Sequence, residues 1–222
     1  MEGALSVIAL VTVVVSTGAI TVTAHFRKGR TDELRTWARA RGWAYTESHP
    51  RPLEDTVLPR GTHGPRARSQ HVLTGRHGRH EVTFFEYSHT LPTTTRRGAG
   101  RTRHTYRIVA VRLPKAGPDL EIHRRAPVGG VTGEDPESAF AEAFTTNGSD
   151  NEFTRAALDR PLTSWLLTDP RAHSLPVRFS GSYVLTWVAM RLDPDRALTA
   201  ADYLIDLLER VPAEAWKRST TP

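Results

Sequence analysis

From Gly3 to Ala24 the chain reads GALSVIALVTVVVSTGAITVTA, 22 residues without a charged side chain, and continues at once with HFRKGR. Wound as a helix, such a run rises about 33 Å, enough to cross a hydrocarbon layer roughly 30 Å thick. It predicts a membrane-spanning helix over 1–24, in contact with the bilayer through 3–24, and leaves the remainder to fold in water. Thr12, Ser16, Thr17, Thr21 and Thr23 dilute its hydrophobicity, yet hydroxyls in a membrane helix can bond back to their own backbone carbonyls.

The flanking charges give the segment a direction. A secretory signal begins with a basic stretch, whereas Met1, Glu2 and Gly3 carry an acid, and the basic residues Arg27, Lys28 and Arg30 follow the apolar run. Short Lys- and Arg-rich flanks stay in the cytoplasm. The expected arrangement is therefore an uncleaved single-pass anchor, N-terminus outside, with a basic cytoplasmic flank at 25–30 and a cytoplasmic domain beyond it. Cleavage of a signal near Ala24, with secretion of the rest, is the alternative. The chain has no cysteine, which agrees with a reducing compartment and rules out a disulfide framework, a thiolate metal site and a cysteine nucleophile.

Charge is segregated along the chain. Residues 1–55 carry 7 basic against 6 acidic side chains, 56–118 carry 12 against 2, and 119–222 carry 11 against 16. In the middle segment every cation except Lys115 is arginine, whose planar fork matches phosphate oxygens two at a time. On a tethered domain, such a segment can lie against anionic headgroups. Arg27, Lys28, Arg30, Arg96, Arg97, Arg101 and Arg103 are the candidate lipid contacts. The plain alternative is a solvated arginine-rich surface. Nucleic acid is not expected as a partner, because no recognised reader motif is present.

After the anchor, residues 31–218 read as one α+β domain, with 219–222 as a tail. Thr31, Leu34, Trp37, Ala38 and Gly42 predict a short amphipathic helix. Ala67–Thr74 and Glu81–Tyr87 read as a hairpin turning through Gly75–Arg79, and Tyr106–Leu113 as a further strand, with another at Leu120–His123 after a Pro114–Pro118 turn. Residues 89–104, HTLPTTTRRGAGRTRH, contain few apolar side chains and read as a flexible basic loop. Asn151–Leu167 has helical spacing with Pro161 inside it, and Ala139–Thr145 fits a strand or a short helix. Val177–Ser180 and Tyr183–Met190 suggest a hairpin at Ser180–Ser182, and Thr199–Val211 a last helix, with Asp193 and Asp195 as its cap. Hairpins with helices between and after them predict an antiparallel sheet packed by helices.

Catalytic motifs are absent. The chain contains no G-x-S-x-G elbow, no phosphate loop and no H-E-x-x-H. Glu81 and Glu86 fall on opposite faces of a strand by parity. His77 with His80, or His71 with His89, is a weak metal pairing among arginines. No catalytic residue, metal or cofactor is expected.

Trp37–Tyr45 (WARARGWAY), Leu73–Arg79 (LTGRHGR), Phe84–Tyr87 (FFEY), Tyr106–Pro114 (YRIVAVRLP) and Pro212–Trp216 (PAEAW), behind an apolar N-terminus, together resemble uncharacterised actinobacterial membrane-anchored proteins. The resemblance implies a source and an architecture, and no established reaction. The expectation is thus a membrane-anchored cytoplasmic binding or interaction module, contacting anionic lipid and an unknown protein partner. A membrane-proximal enzyme and a structural subunit of a membrane complex are the alternatives.

Overall fold

The computed structural model describes residues 28–59, 64–95, 98–125 and 135–218. The expected span at 3–24 and Arg27, Arg96 and Arg97 lie outside them. Among the described residues no helix is long and apolar enough to cross a membrane.

Ala44–Ser48 (β1), Arg68–His77 (β2), His80–Thr95 (β3), Gly98–Arg124 (β4), Phe144–Gly148 (β5) and Val177–Val188 (β6) form one antiparallel six-stranded sheet. The helices are residues 28–40 (α1), Pro136–Ala143 (α2), Asn151–Ala157 (α3), Arg160–Thr168 (α4), Pro194–Arg210 (α5) and Ala213–Arg218 (α6). The expected α+β architecture is therefore present. β4 is its spine: β3 pairs with 98–111 on one edge, β5 with 120–124 further along that edge, and β6 with 107–122 on the other.

Side-chain alternation gives the sheet two buried faces. Leu73, Val82, Phe84, Val109 and Val111 point to the helices, where they meet Leu34 and Ala38 of α1 and Leu204 and Leu207 of α5. Val72, Phe85, Tyr87, Ile108, Ala110 and Leu185 point the other way, under Leu53 and Leu58 of a strap formed by residues 49–59. Each fully buried Phe or Leu contributes about 1.5–3 kcal/mol, so β3 and β4 have to be apolar on both faces. That is why Val82–Phe85 and Ile108–Val111 read as continuous apolar runs, apart from Thr83.

The acids of the second half have a local purpose. Asp135, Asp150, Asp159, Asp169 and Asp193 each accept hydrogen bonds from first-turn amides, and Pro136, Pro161, Pro170 and Pro194 follow within the first two positions of four of these turns. A short acceptor at the cap and a residue with no N–H to lose just behind it start a helix well. Asp193 thus caps α5, as the sequence suggests. At the other end of α1, Gly42 takes φ 69°, and the Trp43 and Gly42 amides bond back to Ala38 and Arg39. This αL closure turns Trp43 onto Phe84, with ring centroids 4.9 Å apart.

Several boundaries differ from the sequence expectation. Residues 89–95 and 98–104 are paired strands, from His89↔His104 to Thr95↔Gly98, where a loop is expected. A two-stranded ribbon satisfies its backbone without a core, and β-branched threonines suit it; Thr93 and Thr102 meet through their hydroxyls at 2.8 Å. Pro114–Pro118 is no turn: β4 runs through it with register shifts around Gly117. The expected hairpin at Ser180–Ser182 is one strand, β6, because Gly181 at φ 55° absorbs an irregularity opposite Gly117. Asn151–Leu167 breaks into α3 and α4 at Asp159, which caps the second helix ahead of Pro161. Ala139–Thr145 divides between α2 and β5. α1 is already helical at 28–30, so Thr31 lies inside it.

The strap is tied to β6 at one point. Thr56 Oγ1 donates to the Ser180 carbonyl and the Val57 amide to Ser180 Oγ, both at 3.3 Å. A Cβ on Gly181 would come to 2.2 Å from the Asp55 carbonyl oxygen. Gly181→Ala is therefore expected to cost about 1–3 kcal/mol and to accelerate proteolysis within 49–59. Thermal unfolding and limited proteolysis with cleavage-site mapping check it.

Candidate functional site

Near the point where Arg30 of α1 meets Glu86 of β3, the sheet carries a β-bulge. β2 advances from Gln70 to Leu73 while β3 moves only from Glu86 to Phe84, and the extra stretch holds His71 at φ 52°. A side chain in the left-handed region is uncommon outside glycine and is held there by its surroundings. Here Tyr45 of β1 holds it, its hydroxyl 2.8 Å from His71 Nδ1 and its ring stacked on the imidazole. Arg35 of α1 lies over the Tyr45 ring.

Beside the bulge is a cavity of about 310 Å³ walled by charged side chains, among them Arg30, Arg68, His71, Glu86, Arg103 and Arg191. Glu86 is buried, and its Oε2 accepts from Arg30 Nη2 at 3.1 Å and from the Leu192 amide at 3.2 Å. Arg30 Nη2 also donates to the Leu192 carbonyl at 2.7 Å. The first turn of α1, the centre of β3 and the segment after β6 are thereby joined. Arg103 reaches in from β4, donating to Gln70 Oε1 at 3.0 Å and Ser88 Oγ at 2.8 Å. Arg68 and Arg191 are exposed and make no ion pair among the described residues. With Glu47 as the second acid, four arginines face two carboxylates, an excess of two positive charges in a half-enclosed space.

Of the residues singled out from sequence, Arg30 and Arg103 meet in this cavity, 73 positions apart in the chain. Lys28 is exposed at the start of α1 and Arg101 is exposed on the ribbon. Arg68 belongs to the basic middle segment without being marked out there. Arg191 sits in the acidic half and has no sequence signal; only the course of β6 back along β4 carries it to this end of the sheet.

The other histidines and acids singled out from sequence are placed elsewhere. His77 Nε2 meets Asp202 Oδ1 of α5 at 2.6 Å, and His80 faces His77 across the turn. His89 is buried and stacks between His104 and Tyr106, at 5.4 and 5.8 Å. Glu81 and Glu86 do lie on opposite faces, Glu81 near Arg112 and Glu86 under α1. On the strap side of the sheet, Arg178 joins Glu121 and Asp119 at 2.8 and 3.2 Å, and His123 contacts Glu121.

No family model and no curated protein matches the sequence. Among solved structures, the crystal structure of the mycobacterial trehalose monomycolate transport factor A is similar to this chain, with a TM-score of 0.53 and 14% identity over 83% of this chain and 97% of that one. The two share a fold.

Burial lowers the His71 imidazole below its ordinary value, opposed by the charge of Glu86 and helped by Arg30. Between that lowered value and the ordinary value of about 6.5 the unfolded chain binds the extra proton, so stability falls as pH drops through this window and is intact above it. His80 is lowered too, by burial and Arg79, and acts with the same sign. Wild type is therefore expected to lose more thermal stability between pH 7 and pH 5 than His71→Asn, measured by calorimetry at both pH values.

Proposed function

We propose that the chain is a membrane-tethered binding module that turns the Arg30–Arg103 end of its sheet toward anionic groups at the bilayer surface. One observation carries this reading: Arg30 and Arg103 line the same cavity with Arg68 and Arg191. Arg30 follows Ala24 by six residues, and six residues of chain span at most about 20 Å. The basic end is thus within reach of any bilayer entered by 3–24. Each arginine near an anionic surface adds about 1 kcal/mol of attraction, and exposed Lys28 and Arg101 supplement the four in the cavity. With the basic flank after the apolar run, the domain belongs on the cytoplasmic side.

A role beside a membrane transport system is a second element of the proposal. The shared fold with a protein named for trehalose monomycolate transport supports it, as does the resemblance to actinobacterial anchored proteins. Fold likeness alone does not convey activity, so the cavity carries the reading and the neighbour supplies its setting.

The full-length chain, expressed in an actinobacterial host, is expected to remain in the membrane pellet after alkaline carbonate washing. Its domain should be digested by added protease in inside-out vesicles and protected in right-side-out ones. A shortened soluble product, or the opposite protection pattern, overturns the assignment.

A further inference from the structure

The arginines around the cavity exceed what the fold requires. Glu86 is engaged by Arg30 and the Leu192 amide, so it neutralises one cation only. Arg103 is held by two neutral acceptors, Gln70 and Ser88. The Arg68 and Arg191 side chains have no hydrogen-bond partner among the described residues. Like charges gathered in a half-enclosed space repel one another, and packing does not explain why exposed Arg68 and Arg191 should line it. An anion between them would remove the repulsion and occupy their donors.

The geometry narrows the anion. The four arginines come from four separate elements, the first turn of α1, β2, β4 and the segment after β6, so the fold sets the positions of their backbones around the cavity before any ligand arrives. A tetrahedral oxyanion presents oxygens in several directions at once, and each guanidinium can grip two of them; a flat carboxylate presents only two oxygens in one plane and serves fewer arginines of a set spread over four elements. A cavity of about 310 Å³ has room for a phosphate group with a small polyol, since a water molecule takes about 30 Å³. The bulge is the second, independent feature. It holds His71 in a strained conformation on the cavity wall, with Nδ1 engaged by Tyr45 and Nε2 unused by any hydrogen bond among the described residues. Strained residues of this kind gather at ligand sites.

We infer that this cavity is a discrete phosphate-binding site, taking a phosphomonoester or phosphodiester between Arg30, Arg68, Arg103 and Arg191. The site deepens the membrane reading by naming its ligand chemistry, and rests on it only for the ligand's source. A lipid headgroup and a soluble phosphate compound share that chemistry, and the experiment separates them.

The full-length protein in a nonionic maltoside micelle, with chloride as the other anion, is titrated with inorganic phosphate, with glycerophosphoglycerol, and with phosphatidylglycerol added to the micelle; binding is read by calorimetry. Saturable one-to-one binding of either soluble compound, weakened about tenfold or more in R68Q/R191Q, supports the site with a free ligand. Binding of phosphatidylglycerol alone, weakened in the same way, supports it with a headgroup ligand. The Arg68 and Arg191 side chains hold no part of the fold together and repel their neighbours, so the variant's unfolding temperature in chloride should match or exceed wild type. Absence of saturable binding in all three titrations, or equal binding by R68Q/R191Q, overturns the inference. Neither result depends on which side of the membrane the domain occupies, so failure here is distinct from failure of the topology.

Discussion

Hydrogen bonding along both edges of one strand, Gly98–Arg124, holds this protein together. It takes β3 and β5 on one side and β6 on the other, and α2 and α5 pack on the sheet that this strand organises. Alternation along its first part assigns Val109 and Val111 to the helical face and Ile108 and Ala110 to the strap face, and the register shifts around Gly117 change the parity so that Leu120 and Ile122 rejoin the helical face. The same alternation puts Arg103 on the cavity side, near Ser88 and Gln70. A one-residue slip would send each of these side chains to the wrong face, so the position of the basic cavity and the integrity of the core depend on one register.

Charge follows a related logic. The acidic second half folds back on the basic first half: Asp195 accepts from Trp37 and Arg41, Glu209 from Arg79, and Asp202 meets His77. Within the second half, Arg171 bridges Asp169 and Asp206 at 2.7 and 2.6 Å. The guanidinium holds the Asp169 carboxyl below the usual range, against the opposing effect of burial. Exposed pairs of this sort contribute little individually, but they cancel charge over much of the surface. The end of the sheet beside His71 is different, with four arginines against two acids, one of them buried in a structural role.

The fold shared with a mycobacterial transport factor at 14% identity shows how little of this architecture depends on particular side chains. Apolar alternation, Asp caps and a few glycines are enough to specify it. Two arginines of the cavity lie outside that requirement, since the Arg68 and Arg191 side chains are exposed and make no hydrogen bond or ion pair among the described residues. Residues that the scaffold does not need are where a binding role is to be sought.

By itself the sequence determined local elements: the Asp193 start of the last long helix, the Gly42 stop, the apolar runs of β3 and β4, and the α+β class, because each depends on neighbours within a few positions. It misread His89–His104 as loop and Ser180–Ser182 as a turn. Few apolar residues suggest a loop whether or not a partner strand is present, and Gly181 suits a bulge as well as a reversal; the pairing that decides between them is non-local. Half of the cavity was within reach of sequence, in Arg30 and Arg103, through their basic context. Arg191, the strained His71 and the buried Glu86 were not. Only the tertiary structure assembled them, because the first turn of α1, the bulge in β2 and the exit from β6 converge through strand register, a relation between residues up to 161 positions apart that no local pattern encodes.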